Sequence, residues 1–247
     1  MQKETLGKAD LHIHTKASDG IVPDEELVDF LEHQTDLDVI AITDHNTLEG
    51  AKRIVELARK KKVRFEVIMG EEISSLDGHI IGLFLTERIV KGMSAADTVE
   101  AIHAQGGLAI LAHPERHVTR KHATHILKTV PFDGLEIGSL FDYDPHYIEF
   151  WDTMNQSTFH KAAIASTDAH LLDFFNRCHT LFPGKTAKEF HAAMKYRRTE
   201  AVYARPFTYW EKRRIEAKFV WGHKGELEYV PIFLSDAARY FVKDFLR

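Results

Sequence analysis

Short apolar runs alternate with amphipathic helical patterns along most of the chain, and this alternation constrains the fold more than any other feature of the sequence. Residues 39–43 and 108–112 are typical of short buried strands, whereas residues 47–62 carry apolar side chains at helical spacing. The pattern continues to about residue 204 and predicts a mostly parallel sheet, open or closed into a barrel. The predicted strands are 9–14, 39–43, 63–69, 80–85, 108–112, 134–137 and 162–166, and the predicted helices are 24–33, 47–62, 94–105, 119–128, 145–155 and 186–196.

The alternation divides the chain into two predicted regions. Residues 1–204 form the α/β domain, and residues 205–247 form a mostly helical extension with amphipathic patterns at 208–219 and 235–245. The extension contains no recognisable chemical motif, so the sequence does not indicate its role.

Charge and cysteine content argue against several classes of protein. The net charge of -5 and the isoelectric point of about 6.3 disfavour a broadly basic surface, so we expect no stable complex with long nucleic acid. No apolar run reaches the roughly 18 residues of a membrane span, no signal-peptide pattern follows Met1, and Cys178 is the single cysteine. We therefore expect a cytoplasmic protein without a disulfide or a membrane partner, and the oligomeric state stays open.

Histidines and acids recur at the ends of successive predicted strands. His12 and His14 are two residues apart on a strand, so both imidazoles project from one face, and Asp168 with His170 repeats this spacing at a later strand end. In parallel α/β folds the ligand-binding loops follow the strand ends. Each residue alone has a structural alternative, such as capping of the next helix by Asp44, but the repeated pattern predicts a metal site. The remaining candidate ligands are Asp19, His45, Glu71, His79 and His113.

Imidazoles and carboxylates without a thiolate suit zinc, manganese or iron. The candidates exceed what one ion can bind, so we expect two or three divalent ions. Glu71 is the expected bridging carboxylate because it is an acid among several histidines. Two ions sharing a carboxylate and a bridging water would generate hydroxide near neutral pH, and this chemistry is hydrolytic.

The segments ADLHIHTKASDG, AITDHNT, GEEIS, DGHIIG, LAHPER and STDAH, in this order, resemble the polymerase and histidinol phosphatase (PHP) domain family over residues 9 to about 204. The resemblance implies a distorted, seven-stranded (β/α) barrel of TIM-like form with a trinuclear metal site. It also implies three ligand sets, which are His12, His14, Glu71 and Asp168 for the first ion, Glu71, His79 and His113 for the second, and Asp19, His45 and His170 for the third.

The same resemblance extends to residues around the metal ligands. Arg116 follows the AHP motif at a basic position that family members place against the substrate phosphate, and a guanidinium there could bind two phosphate oxygens. Asp44 would support His45 or another ligand. The sequence leaves Glu136 open between a supporting role and a local salt bridge, and His117 has a surface position as its default.

These features predict a phosphoesterase that hydrolyses a small phosphate monoester by attack of a metal-bridging hydroxide. Asp19 in the SDG motif favours the branch of the family that acts on nucleotides or short nucleic-acid ends. The alternatives are a phosphatase for histidinol phosphate or phosphotyrosine, a short-substrate exonuclease, and a structural PHP module without activity.

Overall fold

The structure is a computed structural model that describes residues 5–139 and 145–203, together with scattered positions between 207 and 218. The chain divides into two compact units, Met1–Arg205 and Pro206–Arg247. The strands of the first unit are β1 Leu6–Asp10, β2 Val39–Ile42, β3 Glu66–Ser75, β4 Gly78–Leu83, β5 Leu108–Leu111, β6 Gly134–Ser139, β7 Ala162–Ser166, β8 Cys178–Pro183 and β9 Glu200–Tyr203. Its α-helices are α1 Asp24–Gln34, α2 Glu49–Lys61, α3 Ala95–Ala104, α4 Arg120–Thr129, α5 Pro145–Met154 and α6 Ala187–Lys195.

The strands form one sheet in the order β7-β6-β5-β4-β3-β2-β1-β8-β9. The β1–β2, β2–β3, β5–β6 and β6–β7 pairs are parallel, and the other four pairs are antiparallel. The prediction of a mostly parallel sheet is therefore wrong. The reason at β3–β4 is a connection of only Leu76 and Asp77, followed by Gly78 at φ +112, which is far too short for a crossover helix.

The sheet curves until its ends nearly meet, which confirms the α/β barrel class. Between β7 and β8, the Thr180 Oγ1 hydroxyl accepts from Ala165 N at 3.1 Å and donates to Ala165 O at 3.0 Å. Beyond β1 and β7, Ile13 and Ala169 form an isolated parallel bridge. The described residues contain nine strands rather than the predicted seven, because β8 and β9 follow the last predicted strand.

One hydrophobic cluster fills the interior of the barrel. It joins residues from strands on different sides of the barrel, among them Ala9, Ile110 and Ile164. Phe190 and Met194 of α6 belong to the same cluster. Since α6 begins beside Glu66, whose carboxylate accepts from Ala187 N at 2.7 Å, this helix covers the end of the barrel where β3 starts. The opposite end of the barrel is not covered by α6, and the predicted metal ligands lie there.

A second hydrophobic cluster lies on the outer face of the sheet, between the strands and helices α3, α4 and α5. Side chains cap the starts of two helices. Ser94 accepts from Asp97 N at the start of α3, and Thr186 with Glu189 forms a reciprocal capping box at the start of α6.

In the second unit, the described residues 210, 211, 213–215 and 218 are helical, and they fall within the predicted helix 208–219. The predicted helix 235–245 lies outside the described residues. Within the part of the chain that the structure describes, no helix combines the length and the apolar character needed to cross a membrane.

Candidate metal centre

Nearly all the predicted ligands converge at the end of the barrel where the parallel strands finish. Eight of the nine predicted positions contribute to clusters whose nitrogen and oxygen atoms lie within 4.8 Å of one another, and the ninth, Glu71, does not. The eight are His12, His14, Asp19, His45, His79, His113, Asp168 and His170.

Glu72 takes the central position that the sequence analysis gave to Glu71. Its Oε2 lies 3.1 Å from His12 Nε2, 3.3 Å from His14 Nε2 and 3.1 Å from His45 Nδ1. Its Oε1 lies on a different set of rings, 2.6 Å from His79 Nδ1 and 2.9 Å from His113 Nε2. The two oxygens of one buried carboxylate therefore face two groups of histidines.

The charges around Glu72 keep it ionised. Burial alone would raise the pKa of this carboxyl, but the neighbouring His45, His79 and His12 hold the pKa well below its usual range. A buried carboxylate that stays ionised can bind cations through both of its oxygens.

Glu71 points away from this cluster, so its assignment as the bridging ligand is wrong. Its Oε2 accepts from Ile89 N at 3.0 Å, and burial raises the pKa of its carboxyl to about 7. The physical reason is the length of β3, which continues to Ser75 instead of ending at Met69. Adjacent residues of a strand face opposite sides, so only Glu72 can face the histidines.

Asp168 completes the set of ligands around His12 and His14. Its Oδ1 lies 3.3 Å from His12 Nε2 and 3.1 Å from His14 Nε2. Its Oδ2 accepts from Arg116 Nη1 at 2.6 Å, which places the predicted phosphate-binding guanidinium at the edge of the cluster. The backbone of Asp168 is left-handed, with φ +52, a conformation that only a few per cent of non-glycine residues adopt.

Asp19 lies at the centre of a third group of histidines, which are His14, His45 and His170. Its Oδ2 lies 3.2 Å from His170 Nε2 and 3.6 Å from His45 Nε2, and its Oδ1 lies 3.5 Å from His14 Nδ1. His170 is oriented in turn by the carbonyl of Asp168, 2.8 Å from its Nδ1.

Asp44 holds the loop that follows His14 and is not bonded to His45. Its Oδ1 accepts from Thr15 N and from the Ser18 hydroxyl, both at 2.7 Å, and its Oδ2 accepts from the Thr15 hydroxyl at 2.7 Å. Helix α2 leaves space for this arrangement only because residue 50 is glycine, since a Cβ there would lie 1.9 Å from Asp44 Oδ2.

Glu136, which the sequence left open, supports two of the ligands. Its Oε1 lies 3.2 Å from His12 Nδ1, and its Oε2 accepts from the backbone N–H of His113 at 2.9 Å. The Glu136 side chain is fully buried. Its contact with His12 Nδ1 fixes the ring so that Nε2 faces Glu72 and Asp168. No local motif marks Glu136, which lies within β6.

The cluster fits a group of divalent cations. Several buried polar atoms in the described part of the chain have no hydrogen-bond partner, and five of them belong to residues of the clusters described above. Native proteins pair most buried polar atoms, so an unpaired set of imidazole nitrogens and carboxylate oxygens indicates positions for ions. The atoms are His12 Nε2, His14 Nε2, His113 Nδ1, Asp19 Oδ1 and Glu72 Oε2.

Comparison with known proteins finds sequence relatives over parts of the chain. An uncharacterized protein of Methanocaldococcus jannaschii is 41% identical over 148 residues, which are 56% of this chain and 84% of that protein. A 5'-3' exoribonuclease of Haemophilus influenzae is 42% identical over 80 residues, which are 31% of this chain and 28% of that protein.

The fold also has a match among solved structures. A two-domain protein of Bacteroides vulgatus containing a predicted PHP-like metal-dependent phosphoesterase superposes with a TM-score of 0.66 and 22% identity. The match covers 81% of this chain and 65% of that one, so the chain spans less than two thirds of that relative. It shows that the chain has the fold of PHP-like metal-dependent phosphoesterases. The sequence pattern of the PHP domain matches residues 10–230, and the chain therefore belongs to the PHP domain family.

Proposed function

We propose that this protein hydrolyses a small phosphate monoester with two or three divalent ions bound in the cluster around Glu72. The observation that carries the proposal is the position of Glu72, whose two oxygens face different groups of histidines at 2.6–3.3 Å. A carboxylate in that position can join two ions. The first ion would be held by His12, His14, Glu72 and Asp168, the second by Glu72, His79 and His113, and the third by Asp19, His45 and His170.

Divalent ions bound there would supply Lewis acidity, which lowers the pKa of water and neutralises charge on a phosphoryl group. The residues of the chain then have separate tasks. Glu136 fixes the orientation of His12, and Asp44 fixes the loop after His14. Arg116 carries a fork of N–H donors that matches phosphate oxygens, and its contact with Asp168 holds the guanidinium beside the cluster.

A nucleotide or a short nucleic-acid end is the substrate class that we favour. Asp19 in the SDG motif supports this choice, and so does the similarity of part of the chain to a 5'-3' exoribonuclease. The net charge of -5 disfavours an enzyme that follows a long polyanion, because such grooves are usually positive. Histidinol phosphate and phosphotyrosine are the competing substrates.

The test is a phosphatase screen of the full chain with manganese and with zinc. The substrates are nucleotide 3′- and 5′-phosphates, bisphosphates, short oligonucleotides, sugar phosphates, histidinol phosphate and phosphotyrosine. We expect turnover of nucleotide phosphates, and loss of that turnover in folded His12→Ala and Asp168→Ala variants. His125→Ala is the matched control, because this exposed histidine of α4 lies outside the cluster.

Two outcomes would overturn the proposed hydrolysis at this cluster, and a third would overturn only its substrate class. Full turnover by purified Asp168→Ala would contradict the assignment of the cluster as the catalytic centre. Fewer than two tightly bound ions per chain, with no turnover of any phosphate, would favour a structural PHP module. Activity confined to phosphotyrosine or histidinol phosphate would contradict the nucleotide preference.

A further inference from the structure

Arg116 lies at the end of a tight turn that follows β5. The N–H of Arg116 donates to the carbonyl oxygen of His113 at 3.0 Å, and Pro114 occupies the second position of this turn. Proline there fixes its own φ at a value that the common turns require. The side chains of the last two turn residues contact different groups. Arg116 donates to Asp168 in the cluster, whereas Glu115 contacts two helices.

A closed ring of contacts ties Glu115 to helices α4 and α5. Glu115 Oε1 accepts from Arg120 Nε of α4 at 2.6 Å and from Trp151 Nε1 of α5 at 3.0 Å. The guanidinium carbon of Arg120 lies 4.1 Å from the ring centroid of Phe150, and the Phe150 and Trp151 rings meet edge to face with centroids 5.1 Å apart. Each of these four side chains therefore contacts two of the others.

The bond from Trp151 fixes the place of the turn on α5. Trp151 is fully buried, and a buried indole N–H normally finds an acceptor because leaving it unpaired is costly. Glu115 supplies a charged acceptor, and its bond to the Arg120 guanidinium is of the charge-assisted, stronger kind. Arg116 is the next residue of the chain, so the contacts that hold Glu115 also hold the backbone that carries the Arg116 guanidinium.

We propose that Glu115 is a positioning residue that fixes the guanidinium of Arg116 for the phosphate of the substrate. The inference rests on the proposed function, because it takes Arg116 as a phosphate-binding group. Binding of a phosphate costs less entropy when the backbone that carries its partner is already fixed. Loss of the Glu115 carboxylate should therefore weaken phosphate binding although Glu115 itself does not contact the phosphate.

The test is a double-mutant cycle on manganese-loaded full-length protein, with binding of inorganic phosphate measured by calorimetry. The variants are Glu115→Ala, Arg116→Ala and the two combined. Glu149→Ala is the matched control, because this glutamate of α5 is exposed and lies outside the ring of contacts. Should Glu115→Ala fail to fold, Glu115→Gln takes its place, since it keeps the shape of the side chain and removes the charge that faces Arg120.

We expect Arg116→Ala to weaken phosphate binding by roughly 10- to 100-fold, as loss of hydrogen bonds to a charged group does. Glu115→Ala should weaken it by about 2- to 30-fold, which is typical of residues that act on a ligand through another residue. The combined variant should bind phosphate as weakly as Arg116→Ala alone, because without the guanidinium nothing is left to position. Glu115→Ala should keep the metal content of the parent.

Four results would overturn the inference. Glu115→Ala could bind phosphate as tightly as Glu149→Ala, or Arg116→Ala could bind it no more weakly than the parent, which includes the absence of binding by both. The two losses could add in the combined variant, as expected if Glu115 only stabilised the fold. Finally, loss of metal ions from Glu115→Ala, measured by elemental analysis, would show that it acts through the metal centre.

Failure of this inference differs from failure of the proposed function, which is measured as turnover. Phosphate binding that follows the expected cycle, without turnover of any phosphate monoester, would contradict only the proposed function. Turnover together with additive losses of phosphate affinity would contradict only the role of Glu115.

Discussion

Replacing Glu136 by alanine removes an acceptor that His12 Nδ1 and His113 N share in the buried interior of the site. Both His12 and His113 are at most 2% exposed, so water cannot easily take over either bond. A buried donor left without a partner costs about 1–3 kcal/mol, and two such donors therefore cost about 2–6 kcal/mol of the free energy of unfolding. Glu136→Gln keeps one oxygen and should cost about half as much.

The assay is urea unfolding of chelator-treated protein, followed by the fluorescence of tryptophan, of which Trp151 is fully buried. Glu100→Ala is the control, because this exposed glutamate of α3 has no role in the site. A parallel metal titration should show affinity lower by roughly 10- to 100-fold in Glu136→Ala, as is typical when the support of a ligating histidine is lost.

Two results would refute this reasoning. The first is a Glu136→Ala variant whose free energy of unfolding lies within about 1 kcal/mol of the parent value, since that is below the cost of one unpaired buried donor. The second is a Glu136→Gln variant that is destabilised as much as the alanine variant, because then the count of hydrogen bonds would not determine the effect.

Three further predictions test other parts of the site. Glu72→Gln should bind fewer metal ions per chain than the parent, as measured by elemental analysis. Glu71→Gln alters a carboxylate outside the cluster and should keep the parental metal content. Equal losses in the two variants would contradict the assignment of Glu72. In metal-free protein the pKa of His14 is raised to about 10, since neighbouring Asp168 and Glu72 outweigh the effect of burial, so ions must displace a proton below that pH. Metal affinity measured by calorimetry should therefore rise with pH between pH 7 and 9, and a constant affinity would argue against a protonated His14. Gly50→Ala would place a Cβ 1.9 Å from Asp44 Oδ2. Thermal unfolding of this variant should therefore show a loss of stability of about 1–3 kcal/mol, which is typical of overpacking. An unchanged unfolding midpoint would contradict the close approach of residue 50 to Asp44.

Most of the candidate site was predictable because its residues are short-range patterns at strand ends. His12 with His14 and Asp168 with His170 each lie two residues apart, and the structure brings all four together. The α/β class was predictable for a similar reason, since strand and helix patterns alternate locally along the sequence, whereas closure into a barrel was expected only from the resemblance to the PHP family. Such features need no knowledge of which strand pairs with which.

The residues that were missed depend on pairing and register. The choice between Glu71 and Glu72 turns on β3 continuing past Met69, where it pairs with β4. Strand β8 was not predicted, although its residues alternate between buried and partly exposed, because only its pairing with β1 distinguishes it from a loop. Glu136 has no motif, and its role follows from two contacts with residues that are 124 and 23 positions away.

The hairpin of β3 and β4 also bears on the order in which the site can be assembled during folding. Glu72 and His79 are seven residues apart and meet across a tight turn, so their contact requires the closure of only a short loop. Asp168 meets His12 only after β7 has reached the start of the chain, and closing so long a loop costs more entropy. One half of the site thus depends on a local hairpin, and its contact with the other half, at the ends of β1 and β7, requires closure of the barrel. Ions that need both halves would bind the closed barrel in preference to any open intermediate, and metal binding would stabilise that closure.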